Sequence, residues 1–352
     1  MSTSVIVLGA TGLVGRTMLR VLEERDFPVG ELRLLASDRS AGLSLGFRGR
    51  MVGVAPVRAE SFAGADLAFF ACKNPLALQW APNARAAGVT VVDNSSAFRY
   101  EDGVPLVVPE VNGHLLNDHP PLVANPNCST IAIVAALAPL ARAAGLERVV
   151  ISTYQSVSGA GRAALAELDQ GVRDGLDRSP PPRSDGSPPF AFNVIPHIDR
   201  FESNGYTREE MKVIWETRKI LGLASLPVTV TAVRVPVRVG HAASVNVALG
   251  RPLEPDEARA LWAATPGLVV VDDPGQGRYP TPLAAEGRDD VLVGRARRDL
   301  SQPRGLEFFV ASDNLRKGAA TNAVQIAEGL LRAPGGLRHA AAVPGSRTAG
   351  RR

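Results

Sequence analysis

Cysteine is scarce in this chain, with only Cys72 and Cys128 among 352 residues. Two cysteines do not make a disulfide framework, so a reducing cytoplasm is the expected location. An excess of one charge is missing too. Lysine and arginine number 39 against 35 aspartate and glutamate, a net charge of +4, and much of the surplus lies in a tail with Arg332, Arg338, Arg347, Arg351 and Arg352. Without a basic stripe in the body of the chain, no nucleic-acid partner is expected. The start, Met1-Ser2-Thr3-Ser4, lacks the positive charge of a signal peptide. The longest apolar stretch, Ile131 to Leu146, is broken by Pro139 and Arg142 and is too short to span a bilayer. No membrane partner, no metal and no internal repeat are expected. What remains is an ordinary globular composition, 45% hydrophobic and 21% charged, in a chain long enough for two cores.

Short apolar runs alternate with helical-period segments in the first third. Ser4–Leu8, Glu31–Ala36, Asp66–Phe70 and Val89–Asp93 read as buried strands, and Val14–Arg25 as a helix. This alternation predicts a parallel sheet covered on both faces. Val104–Val108 and Pro121–Ala124 are candidate edge strands. After the turn cluster Asn125 to Thr130 comes an apolar helix from Ile131 to Ala144. Val149–Gln155, Val228–Val235, Ala243–Leu249 and Leu306–Ala311 then read as strands of a second, mixed or antiparallel sheet. Gly175–Pro189 is rich in Pro, Ser and Gly and reads as a loop. The fold class is therefore α/β: a Rossmann-like parallel sheet in residues 1–127, then a second α+β domain in 128–314. A helix over about 315–332 is expected to rejoin the first domain, and 333–352 reads as a disordered tail.

Gly9-Ala10-Thr11-Gly12-Leu13-Val14-Gly15 joins the first strand to the first helix. Glycines there let a backbone approach a pyrophosphate, and a helix N-terminus offers it free N–H groups. The second strand ends in Ala36-Ser37-Asp38-Arg39-Ser40. Two hydroxyls and an arginine suit the extra phosphate of NADP, although Asp38 could instead serve the ribose of NAD.

Cys128 follows Asn127 at the expected start of a helix, a place that favours thiolate. Thiolate attack on an aldehyde or acyl phosphate leads through a tetrahedral adduct to a thioester. A buried structural cysteine is an equal reading of the residue by itself. Cys72, at a strand end, reads as structural. Of five histidines, His241 falls in the turn expected between two strands, where catalytic groups and idle surface histidines are equally at home.

Several segments in order resemble the signatures of the aspartate-semialdehyde dehydrogenase family. They are Gly9–Gly15, Ser37–Ser40, Asp93–Arg99, Asn125–Thr130, Gln155–Gly161, Phe192–Asp199, Glu209–Lys212 with Glu216-Thr217, Arg234–His241 and Asp313–Ala320. The resemblance covers residues 4–330. It implies Cys128 as acyl-thioester nucleophile, His241 as acid/base and Gln155 as the residue that orients substrate beside the sulfur. Arg234 is implied to hold the substrate α-carboxylate and Glu209 its amino group. Glu209 is chosen over Glu210 because three-residue spacing puts it on one helical face with Lys212. Arg99 and Lys212 are implied as the phosphate pair. Ala10, Thr11, Gly12, Leu13, Val14, Ser37, Arg39, Ser40, Ser158, Gly159 and Asn314 are implied as contacts to NADP(H).

The reaction implied is NADPH-dependent conversion of L-aspartyl 4-phosphate to L-aspartate 4-semialdehyde and phosphate, by a homodimer. It serves lysine/diaminopimelate, threonine, methionine and isoleucine biosynthesis. The rival readings are a reductase of N-acetyl-γ-glutamyl phosphate and a catalytically inactive relative that acts as a binding protein.

Overall fold

The computed structural model describes residues 2–40, 42–176 and 179–337. Two sheets account for the strands. The first has the order β3-β4-β2-β1-β5-β6-β7. It is built from β1 (Thr3–Leu8), β2 (Val29–Ala36), β3 (Ser44–Phe47), β4 (Arg50–Pro56), β5 (Leu67–Phe70), β6 (Thr90–Asp93) and β7 (Leu122–Ala124). All its pairings are parallel except the β3–β4 hairpin. Its central strands are apolar on both faces because helices cover both. These include α1 (Leu13–Glu24) and α2 (Asn74–Ala86). Met18, Leu19, Val21 and Leu22 of α1 are buried in one core layer with Val5, Val7 and Phe69.

A short helix, α3 (Pro109–Asn112), leads to β7, and α4 (Cys128–Ala144) starts four residues after that strand ends. Apart from Arg142 and a few residues at its ends, α4 is buried all round, which explains its unbroken apolar sequence. It packs against the second sheet and α6 (Arg208–Leu221), and is no membrane segment; among the described residues no helix is long and apolar enough to cross one.

The second sheet has the order β11-β12-β13-β10-β8-β9. Its strands are β8 (Leu146–Gln155), β9 (Val228–Arg234), β10 (His241–Leu249), β11 (Leu268–Val270), β12 (Val291–Arg298) and β13 (Gly305–Ser312). It is mixed: β8 with β9 and β11 with β12 are parallel, and the other pairings antiparallel. The remaining helices here are α5 (Arg162–Asp174), α7 (Pro255–Ala263) and α8 (Pro282–Ala285). The last helix, α9 (Thr321–Arg332), returns to the first sheet and buries Ala323, Val324, Ile326 and Leu330 in its core.

Some expectations need correction. Val104–Val108 forms no strand, only a bridge between Leu106 and Ala124. Pro105 has no N–H to donate to a ladder, and Pro109 already starts α3. His241 is the first residue of β10, not a turn residue; the turn is over by Gly240. The helical pattern after Leu315 opens with one π turn, Arg316–Ala320, before α9. Of the expected tail, residues 338–352 lie outside the described residues. Before them, Ala333 is buried and the Pro334 carbonyl lies 2.7 Å from His119 Nε2.

Candidate active site

A cleft of about 1280 Å³ runs from the glycine-rich loop to the start of α4 and the end of β8. The loop is shaped by close approach. Gly9 has φ +86°, and a Cβ there would lie 2.3 Å from the Ala71 carbonyl oxygen. No larger residue fits at this crossing. The N-terminus of α1 has no side-chain cap and no acid in its first turn, so its amides face the cleft unclaimed. Thr11, Gly12, Leu13, Val14, Arg39, Ser158, Gly159 and Asn314 line the cleft. Ala10 is buried behind it, Ser40 lies 3.3 Å from the Thr11 hydroxyl, and neither they nor Ser37 line it. Asp38 is turned to Arg58 at 2.7 Å, which leaves Arg39 without an ion-pair partner among the described residues.

At the far end of the cleft, Cys128 Sγ lies 3.1 Å from His241 Nε2. Asn127 caps α4 by accepting from the N–H groups of Ser129 (2.9 Å) and Thr130 (3.4 Å). Those amides are thus spent on the cap and do little for a thiolate. Burial, with Glu209 nearby, pushes the Cys128 thiol up to about 12 against the pull of Arg99, Arg234 and Lys212. Burial, with Arg234 nearby, pushes His241 down to about 3. Burial thus works against the ionised sulfur expected from the helix start, since it disfavours the charged form of thiol and imidazole alike. Cys72 also reaches the cleft, but burial and Asp93 push its thiol up to about 12.

Glu209 forms the floor. Its Oε1 accepts from Asn127 Nδ2 (2.8 Å) and Gln155 Nε2 (3.0 Å), and its Oε2 from Lys212 Nζ (3.2 Å). Burial pushes its carboxyl up, but these three donors, Lys212 foremost, hold it below the usual range. Glu210 points elsewhere. It completes a capping box with Thr207 and accepts from the Ala232 N–H, so it belongs to the scaffold. Gln155 Nε2 also donates to Ser129 Oγ at 2.6 Å, while its Oε1 is buried with no hydrogen-bond partner among the described residues.

Three cations line the cleft near Cys128. Lys212 donates to Asp199 (2.7 Å) as well as Glu209. Arg234 donates to the Ser156 carbonyl (2.7 Å) and has no carboxylate partner among the described residues. Arg99 donates to the Asn125 and Asn94 carbonyls and to Glu216, each at 2.9 Å. These bonds use three of the five N–H groups of a guanidinium, leaving two for the cleft.

Several residues that shape the site had no role assigned from sequence. Glu216, fully buried, accepts from Arg99, from the Tyr100 hydroxyl and from the Asn127 N–H. Its signal was present, since Glu209, Lys212 and Glu216 follow the three-and-four spacing of one helical face. Ser156 lies against the His241 ring. Gly318, in the π turn, would place a Cβ 3.1 Å from the Cys128 carbonyl oxygen and 3.2 Å from Cys128 Cβ, so the absence of a side chain there lets the turn sit close against the cysteine. No pattern in the sequence marks such a distant approach.

Comparison with known proteins gives one answer throughout. Residues 4–119 match the family model described as "Semialdehyde dehydrogenase, NAD binding domain". Residues 137–317 match "Semialdehyde dehydrogenase, dimerisation domain". Aspartate-semialdehyde dehydrogenase of Legionella pneumophila is 50% identical over 332 residues, 94% of this chain and 96% of that one. The crystal structure of aspartate semialdehyde dehydrogenase II from Vibrio cholerae, complexed with ASA, superposes with a TM-score of 0.91 at 46% identity, covering 94% and 99% of the two chains. A more distant structure, aspartate semialdehyde dehydrogenase with NADP from Candida albicans, gives 0.73 at 26% identity over 94% and 98%. With this likeness running through nearly the whole of both chains, the protein belongs to the aspartate-semialdehyde dehydrogenase family.

Proposed function

We propose that the chain converts L-aspartyl 4-phosphate to L-aspartate 4-semialdehyde and inorganic phosphate, using NADPH and a thioester on Cys128. The observation that carries this reading is the 3.1 Å approach of Cys128 Sγ to His241 Nε2 beside a cleft with an uncapped helix N-terminus. Arg234, with no carboxylate partner among the described residues, suits the substrate α-carboxylate. Glu209 suits the substrate ammonium, which an N-acetylated substrate lacks. Arg99, with two free N–H groups, and Lys212 suit the phosphate.

The sulfur attacks the acyl carbon, the bond to phosphate breaks, and phosphate leaves towards Arg99 and Lys212. Gln155 holds the acyl group beside the sulfur. Ser158, Gly159 and Asn314 would hold the nicotinamide end of the dinucleotide, which when bound would supply the hydride for the thioester carbonyl. The carbon–sulfur bond then breaks, and the sulfur leaves against His241, the acid/base partner.

The free amides of α1, with Thr11, Gly12, Leu13 and Val14, suit the pyrophosphate, and Ser158, Gly159 and Asn314 suit the nicotinamide end. NADP is favoured over NAD because Arg39 has no ion-pair partner among the described residues while Asp38 is held by Arg58. The Candida albicans relative, described with NADP, supports the same choice. Ala10, Ser37 and Ser40 complete the proposed cofactor set. We assign residues 1–127 with 315–332 to dinucleotide binding and 128–314 to catalysis and homodimer formation, in the cytoplasm. The test is NADP reduction with aspartate semialdehyde. Turnover that requires phosphate supports the reading; turnover independent of phosphate, or none, contradicts it.

A further inference from the structure

The pyrophosphate site proposed at α1 has amides but no cation. A helix start carries roughly half an elementary charge, too little to balance two phosphates that are each negative. The cleft holds other cations, and most have a place already. Arg99, Lys212 and Arg234 lie near Cys128, and Arg39 is the one proposed for the extra phosphate of NADP. Lys73 and Arg162 also line the cleft. Of these two, only Arg162 bonds to the glycine-rich loop among the described residues.

Arg162 opens α5, which follows β8 of the second sheet. Its Nη2 donates to the Thr11 carbonyl at 3.0 Å, so the side chain reaches across to the loop that leaves β1 of the first sheet. That bond is exposed, and it is the only one the guanidinium makes among the described residues. Four of its five N–H groups remain free. No carboxylate pairs with it among the described residues, and α5 has no acid in its first turn. The Thr11 carbonyl also accepts from Arg16 Nε at 3.2 Å, so Arg162 can leave without stranding an acceptor. A carbonyl carries no net charge and a phosphate oxygen does, so the exchange favours the phosphate.

We infer that Arg162 is a cofactor-binding residue that takes the pyrophosphate together with the α1 amides, so that both domains grip the dinucleotide. The inference rests on the NADP reading above and adds a residue to it. Gly159, proposed at the nicotinamide end, stands three residues before Arg162. One short turn of the second domain thus serves the nicotinamide end and the phosphates alike. Arg39 and Arg162 divide the recognition between them. The 2′-phosphate is present in NADP alone, and the pyrophosphate in NADP and NAD. Arg39 therefore selects between the dinucleotides, and Arg162 strengthens both.

The test is fluorescence titration of the ligand-free protein with NADPH and, separately, with NADH, in the wild type and in Arg162→Gln, with no substrate present. Arg162→Gln is expected to weaken both dinucleotides by the same factor, about 10–100-fold, the loss of a bond to a charged group. The melting temperature without ligand is expected to stay unchanged, because the bond lost to Thr11 is exposed. A loss confined to NADPH would place Arg162 at the 2′-phosphate, and unchanged binding of both would remove it from the site; either overturns the inference. So would weaker binding with a lowered melting temperature, which would trace the loss to the loop. A wild type that binds neither dinucleotide overturns the cofactor reading itself, whereas a variant that binds as the wild type does overturns the inference alone.

Discussion

Arg99 and Glu216 form a buried ion pair with 2.9 Å between Nη1 and Oε1, their side chains 7% and 0% exposed. The other carboxylate oxygen of Glu216 accepts the Asn127 N–H at 2.6 Å. One side chain of α6 therefore fixes a cation proposed for phosphate and the residue that precedes the nucleophile.

Glu216→Gln keeps the shape and removes the charge. Breaking one side of a buried pair costs about 3–5 kcal/mol. A lower melting temperature and a raised KM for phosphate are expected together, measured by thermal unfolding and by the NADP-reduction assay. An unchanged KM would detach Arg99 from phosphate binding.

His241→Ala is expected to lower kcat by about 10²–10⁴-fold, the usual contribution of a positioned proton-bearing group. Steady-state rates in both directions measure it. A loss of less than about tenfold would remove His241 from the chemistry.

Arg39→Ala is expected to weaken NADP binding about 10–100-fold, the loss of one hydrogen bond to a charged group, and to leave NAD binding unchanged. Titration with each dinucleotide separates the two. Equal weakening of both would place Arg39 away from the 2′-phosphate.

The resting thiol makes a prediction about pH. Burial raises the Cys128 thiol to about 12, so below that value its thiolate fraction falls as pH falls. In a Cys72→Ser background, alkylation of the ligand-free protein by iodoacetamide is expected to rise about tenfold per pH unit from about pH 6 to 9. A rate that is flat with pH there would mean a standing thiolate–imidazolium pair.

Much of the fold was open to reading because it is written in local periods. The doubled-sided apolar strands β1, β5 and β6 and the glycine-rich turn after β1 give the parallel sheet. The β3–β4 hairpin escaped notice because Gly46, Gly49 and Gly53 dilute its alternation, and β12 because it starts at Val291 after two aspartates and ends in arginines. The site followed the same division. Glu209 and Lys212 share a helical face that spacing reveals. Contacts between elements far apart in sequence, such as Ser156 on His241 and Gly318 on Cys128, obey no spacing rule. The helix-start argument for an ionised Cys128 meets an opposing effect that no sequence pattern shows: Asn127 uses the amides of Ser129 and Thr130, and burial pushes the thiol up.

The central claim is a covalent acyl group on one sulfur. The direct measurement is the intact mass of the protein after incubation with aspartate semialdehyde and NADP in the absence of phosphate, followed by peptide mapping. The account predicts an aspartyl thioester on Cys128 that disappears when phosphate is added and never forms in Cys128→Ala. An adduct on Cys72, or reduction of NADP with no adduct at any time, would contradict it.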